Sequence, residues 1–371
     1  MSNPFELSSE NIVLPMGGWH EEVRILQQEL LAEPFPPSRS HNVWFFAPRG
    51  YGKTLFVQKF LRELTQARRD ICGLYLDLTK TPTVEAFCRA YEASVRRIFP
   101  NSDGFLTGVD NLGVEEWTFP NVFNLPERLA EERESLLIVA FGEFQEISRI
   151  LDRPSYLKIF GDCIRSHKRV RYIFFGSIKK SLEDLFKEDG QFHGLVSPNF
   201  MEFERPSLAD CRAFLRSQFS EKGIMIQDAE VEAIVKLSRC EPRCLMELAS
   251  GVFEHVATNR FTGVYSDDVK RAENEIVARK SDLYDTWLET LSTSKCLLVR
   301  ALAKKPTARF DSDYRKEYGL PGLSTLHTAL KELVQDRIVK DRSEEEPFYS
   351  LVDPFLVHYL KQPPAQIFTG A

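Results

Sequence analysis

Four short apolar runs punctuate the first half of the chain: Val43-Trp-Phe-Phe46, Cys72-Gly-Leu-Tyr-Leu-Asp-Leu78, Leu136-Leu-Ile-Val-Ala-Phe141 and Arg171-Tyr-Ile-Phe-Phe-Gly176. Each is short and almost continuously apolar, the pattern of a parallel strand buried on both faces. Between them apolar positions recur at helical spacing, over residues 55–64, 84–98 and 156–166. Strands alternating with helices predict right-handed crossovers and a parallel sheet with helices on both sides. Phe200-Met-Glu-Phe203 is a weaker fifth strand.

After Arg205-Pro206 the strand-like runs stop. Helices are predicted from a Ser207 cap through residue 219, from an Asp228 cap through 237, and from Pro242 through 256. From residue 291 the rhythm becomes helix (295–303), helix (311–318), a turn with Gly319 and Pro321-Gly322, and helix (324–336). Two short strands follow, 338–340 and 348–351, around an acidic loop, which is the order of a winged helix-turn-helix. The predicted division is an arm with one helix (1–40), an α/β domain (41–205), an all-α domain (206–280) and a winged helix domain (281–371).

A chain of 371 residues is long enough for several such domains, and 43% hydrophobic with 27% charged residues suits globular cores. A net charge of −6 gives no global reason to expect a nucleic-acid partner. The beginning of the chain lacks the pattern of a secretory signal, and no run of about 18 apolar residues suggests a membrane span. Seven scattered cysteines suit a reducing compartment, so a cytoplasmic location is expected. Cys240 and Cys244 stand four apart with no partners to complete a zinc site.

The chemistry concentrates after the first strand. Ala47-Pro-Arg-Gly-Tyr-Gly-Lys-Thr54 fits the spacing of a phosphate-binding loop, with Ala in place of the first Gly. Gly50 and Gly52 permit the tight turn that aims backbone N–H groups at phosphate oxygens. Lys53 would reach the β- and γ-phosphates, Thr54 would offer its hydroxyl to Mg²⁺, and a helix starting here would add its positive end. Pro48, Arg49, Gly50, Tyr51, Gly52, Lys53, Thr54 and Leu55 are therefore the candidate nucleotide-binding residues, with ATP and Mg²⁺ the expected cofactors. Such sites place a carboxylate at the end of another strand to help hold the metal, and often a Glu beside it. After the run 136–141, Glu143 stands where the base belongs, but Gly142 occupies the place of the Asp.

Together these residues resemble the archaeal-type ATPases of the AAA+/STAND group. The resemblance rests on the loop 47–54, the run ending Gly142-Glu-Phe-Gln-Glu-Ile147, Gly176-Ser177, Glu241-Pro-Arg243, and a terminal winged helix with Asp353-Pro-Phe355. It spans about residues 3–360 and implies an ATPase core, a helical lid and a winged helix. Glu143, Ser177 and Arg243 would then be the catalytic and sensing residues, Ser177 near the γ-phosphate and Arg243 on the lid. Ser177 reads equally well as a cap of the following helix. Trp19 falls near the adenine-contacting helix of the resemblance, with core packing its simpler reading. No arginine finger is assigned.

The implied activity is an ATP-driven conformational switch, with hydrolysis weakened by Gly142. A DNA-binding protein resembling replication initiators is one alternative, and a nucleotide-binding scaffold without turnover is the other. The expected recognition helix exposes only His327, Thr328, Lys331 and Gln335, and Glu344–Glu346 in the wing would repel phosphate, so a protein partner or a homo-oligomer is expected before DNA.

Overall fold

The computed structural model describes residues 3–5, 20–31, 41–48, 50–100, 118–197, 201–203, 206–340 and 348–362. Trp19, Arg49, Arg205 and the acidic wing with Asp341, Arg342 and Glu344–Glu346 lie outside the described residues. The chain forms two compact units, one of residues 16–205, the other of residues 1–15 with 206–371.

The first unit runs α1 (His20–Leu31), β1 (Val43–Phe46), α2 (Lys53–Ala67), β2 (Ile71–Asp77), α3 (Val84–Ile98), α4 (Thr118–Glu132) and β3 (Leu136–Gly142). It continues with α5 (Ile147–Ile150), α6 (Pro154–Ser166), β4 (Val170–Gly176), α7 (Lys179–Phe186) and β5 (Met201–Glu202). The strands form one parallel sheet in the order β2-β3-β4-β1-β5. The weak fifth strand is real but only two residues long.

The period of two along each strand separates two faces. Leu74, Leu76, Leu137, Val139, Phe141, Tyr172 and Phe174 join a core with Phe87, Tyr91, Phe123 and Phe160 of α3, α4 and α6. The other face carries Gly73, Tyr75, Phe45 and Phe175 and meets α2, where the Phe45 and Phe56 rings lie 6.2 Å apart. Gly73 makes room there, since a β-carbon on it would stand 3.2 Å from Leu61 Cβ.

Helix α4 is absent from the pattern read above because Pro120 and Pro126 look like breakers. Pro120 falls in the first turn, and Pro126 lies inside the helix. An interior proline costs about 3 kcal/mol. Five buried apolar side chains of α4, Phe119, Val122, Phe123, Leu125 and Leu129, outweigh that at about 2 kcal/mol each.

The second unit contains α8 (Leu208–Glu221), α9 (Asp228–Ser238), α10 (Pro242–Thr258) and α11 (Ser266–Thr290). It ends with α12 (Thr293–Lys304), α13 (Ser312–Glu317), α14 (Leu323–Gln335), β6 (Val339–Lys340), β7 (Ser350–Leu351) and α15 (Pro354–Lys361). Ser207 caps α8 in a reciprocal pair with Asp210. Asp228 is the first residue of α9 rather than its cap, a position taken by Gln227.

Helix α11 passes straight through the junction expected at 280/281, so the helical and winged parts share a 25-residue helix rather than a linker. Two bonds tie them further: Tyr284 donates to Asp353 at 2.9 Å, and Arg239 donates to the Leu351 carbonyl at 3.1 Å. The arm 1–40 is likewise not one piece. Phe5 is buried among Phe214, Phe219 and Phe253 of this unit, and Asn3 donates to Ser250 Oγ at 2.8 Å.

None of the seven cysteines forms a disulfide. Among the described residues no three His, Cys, Asp or Glu side chains gather to hold a metal, and no helix is long and apolar enough to cross a membrane.

Candidate functional site

The segment after β1 lies at the carboxyl ends of the strands, where β1 neighbours β4 although the chain goes next to β2 at the sheet edge. Open α/β sheets bind ligands at such a switch point. Gly50 has φ 87° and Gly52 φ 79°, left-handed conformations that a side chain would strain. Gly52 is the N-cap of α2 and accepts from Phe56 N at 2.9 Å. Lys53 and Thr54 are thus the first helical residues, at the end of α2 where unpaired N–H groups and the helix dipole favour an anion. Tyr51 N donates to Pro48 O at 3.3 Å, closing the turn, and Ala47 N donates to Gly176 O at 3.3 Å, fixing the loop to the end of β4. Leu55 is half-buried on the first turn of α2, and Arg49 is not described.

Lys53 is buried and pairs with Glu143 Oε1 at 2.6 Å. The other carboxylate oxygen accepts from Ser177 Oγ at 2.5 Å and from Gln145 Nε2 at 2.7 Å. Burial alone would raise the Glu143 pKa, but the Lys53 charge and the three donors overcome it and hold the carboxyl below its usual range. Glu143 has φ 53°, a left-handed conformation that costs a residue with a side chain about 1–2 kcal/mol. The strained turn carries the chain out of β3 with the carboxylate beside Lys53.

Gly142 leaves the end of β3 without the carboxylate that would help hold Mg²⁺. Thr54 keeps its hydroxyl, and the phenol of Tyr75 lies beside it. For a metal the loop itself offers the Thr54 hydroxyl.

Lys53, Thr54, Glu143 and Ser177 all come together in this unit. Ser177 does not cap α7, whose N-cap is Ile178; its hydroxyl goes to Glu143 instead. Arg243 is exposed in the first turn of α10, in the other compact unit. Two residues escaped the motif search. Gln145 lies in the run 142–147 but was given no role there, and Gly176 makes room for it, since a β-carbon there would collide with Gln145 Oε1. Tyr75 belongs to no motif. The alternation of β2 toward α2 is the signal that could have found it.

Known structures and families agree with this architecture. The chain is similar to the Walker-type ATPase PABY2304 of Pyrococcus abyssi at 21% identity and TM-score 0.69, covering 97% of this chain and all of that one. It is similar to the ORC2 protein of Aeropyrum pernix at 15% identity and TM-score 0.68, over 96% of each chain. The ORC1 protein of Aeropyrum pernix, solved in complex with DNA, matches at 18% identity and TM-score 0.55, over 95% of this chain and 94% of that one. The fold is that of an AAA+-type P-loop ATPase. Residues 282–362 match the family described as "Probable winged helix domain", so this AAA+-type core is followed by a winged helix. No curated protein matches the sequence.

Proposed function

We propose that this chain is an ATP-binding switch whose nucleotide loop is closed by its own glutamate until the triphosphate arrives. The observation that carries the reading is the Lys53–Glu143 pair at 2.6 Å beneath the two left-handed glycines. When bound, ATP supplies a triphosphate whose charge competes with Glu143 for the Lys53 ammonium. Lys53 then exchanges the carboxylate for phosphate oxygens, and Gly50 and Gly52 let the loop N–H groups reach them. Glu143, released from Lys53 and still held by Ser177 and Gln145, is placed to accept a proton from water. Thr54 would be the protein's hydroxyl toward Mg²⁺, and without a carboxylate at Gly142 hydrolysis is slow.

On this reading Arg243 reports the γ-phosphate to the helical unit. The bonds joining that unit to the winged helix support movement of the two as one body. The site works in the cytoplasm, with a protein partner or a second copy receiving the movement.

A replication-initiator-like role with DNA has one observation in its favour, the DNA complex of the similar ORC1 protein. Helix α14 does expose His327, Thr328, Lys331 and Gln335, and Lys304, Lys305 and Arg309 are exposed nearby. Yet Glu332 is exposed on the same helix, paired with Lys295 at 2.6 Å. That surface gives DNA little to hold, and retention that falls steeply with salt would be needed to favour this role.

The test is equilibrium binding of a fluorescent ATP analogue to wild type and Lys53→Ala, with circular dichroism as a check on folding and phosphate release followed in parallel. Saturable binding that a folded Lys53→Ala variant loses is expected, with slow turnover in the wild type. No saturable binding to the wild type at millimolar analogue would overturn the reading.

A further inference from the structure

Gly142 lies within a regular strand and outside the left-handed region, so its backbone does not call for glycine. The space above it does. A β-carbon on Gly142 would stand 2.9 Å from the phenolic oxygen of Tyr75, 3.0 Å from Tyr75 Cε2 and 3.2 Å from Phe175 Cζ. Asp77 and Phe175 flank Gly142 in register on the neighbouring strands, and Tyr75 lies two residues before Asp77, on the same face. The Tyr75 ring leans forward over Gly142 and stacks on Phe175, with centroids 6.1 Å apart and planes within 20°. The two aromatic rings close over the strand end where a carboxylate would otherwise project.

The hydroxyl of Tyr75 is not idle there. It lies beside Thr54, the residue whose own hydroxyl faces the metal position in a loop of this type. A phenol carries no charge at neutral pH. A carboxylate in this place would bring a negative charge toward a cation; the phenol brings only a dipole.

Building on the nucleotide reading above, we infer that Tyr75 is a positioning residue that takes the place of the missing carboxylate, holding Thr54 by its phenol so that the loop binds nucleotide with little help from Mg²⁺. The tyrosine depends on the glycine: its ring fits there only because residue 142 has no side chain. Replacing Gly142 alone therefore does not rebuild a metal site, because the ring occupies the volume the new side chain needs.

The test titrates a fluorescent ATP analogue against wild type, Tyr75→Phe, Gly142→Asp and the double variant Tyr75→Ala/Gly142→Asp. Each is measured in EDTA and in excess Mg²⁺, with thermal melting of every protein. The wild type is expected to change affinity less than about threefold between the two conditions. The double variant gains a carboxylate with room to act, and its affinity should rise about tenfold or more with Mg²⁺, the scale on which outer-shell metal partners operate. Gly142→Asp alone should melt lower and gain no such dependence. Tyr75→Phe keeps the packing and frees the Thr54 hydroxyl, so it should melt near wild type and acquire a Mg²⁺ dependence of about threefold or more, as a single neutral hydrogen bond allows.

A wild type whose affinity already rises tenfold with Mg²⁺ overturns the inference and leaves the nucleotide reading standing. So does a folded double variant, or, if that one fails to fold, a folded Tyr75→Phe, that gains no dependence. A wild type that binds nothing in either condition overturns the nucleotide reading, and the inference with it.

Discussion

Two carboxylates of the sheet-bearing unit, Glu143 and Glu127, are held in opposite ways at opposite ends of the strands. Glu143, at the carboxyl end of β3, is held by side chains: Lys53, Ser177 and Gln145. Glu127, on α4, is held by backbone. Its oxygens accept from the N–H groups of Lys168, Arg169 and Val170 at 2.7–3.1 Å, where the chain enters β4. Side-chain partners can be exchanged for a ligand; the N–H groups that start a strand cannot leave without unmaking it. A carboxylate with replaceable partners is a candidate for function, while one that terminates a backbone belongs to the fold. The left-handed backbone of Glu143 against the regular helix of Glu127 points the same way, since strain is tolerated where a site needs it.

The sharpest way to break this contrast is to remove Glu127. Glu127→Ala leaves three backbone donors without their acceptor at the mouth of β4, each costing about 1–3 kcal/mol if buried. A loss of about 4 kcal/mol is expected in urea unfolding. Nucleotide affinity of the protein that remains folded should be unchanged. A mild effect on stability, or a specific loss of affinity, would show that the two carboxylates are not as different as their partners suggest.

Acid should also reach the Glu127 end first. His167 precedes those N–H groups; its Nδ1 lies 2.8 Å from Tyr172 Oη and its Nε2 3.1 Å from Asn124 Oδ1. Burial lowers its pKa from 6.5 to about 4, so it stays neutral when folded. Between those values the unfolded chain takes a proton that the folded one refuses, and stability falls as pH drops. The loss begins near pH 6.5, amounts to about 2 kcal/mol by pH 5, and levels off below about 4. Glu143, whose pKa is lowered, keeps its contribution above its ordinary value of 4.5 and loses it as pH falls from there through its lower folded value. His167→Gln should flatten the slope between pH 6.5 and 5 in denaturant titrations. A slope that persists would place the titrating group elsewhere.

Much of this was legible in the residues themselves. The four apolar runs became β1 to β4 within a residue or two, because buried parallel strands leave an unbroken apolar signal. Gly50, Gly52, Lys53 and Thr54 could be read from spacing, since each has a local backbone or charge reason to be there. What could not be read depends on neighbours distant in sequence. Tyr75 matters only because β2 lies beside β3 and residue 142 has no side chain. Helix α4 hides behind Pro126, whose cost is met by packing that no local window contains. The continuity of α11 across the junction at 280/281 stayed hidden for the opposite reason: the helix is polar on most of its surface and carries no composition break there.

The finest test of the contrast is Glu143→Gln, which keeps the shape of the site and removes one charge. The Ser177 hydroxyl keeps an acceptor, but the buried Lys53 loses its counter-charge, and the free protein should be slightly less stable. A triphosphate would then have no ion pair to displace. Nucleotide affinity is expected to rise about fivefold, or about 1 kcal/mol, while any phosphate release falls because the proton acceptor is gone. The rise should be larger at low salt than at high salt, as for any exchange among charges that begins near solvent. Isothermal titration of wild type and variant at two ionic strengths measures it. An affinity that falls instead would mean that Glu143 helps hold the nucleotide rather than guarding its place, and the resemblance to Glu127 would be closer than their partners imply.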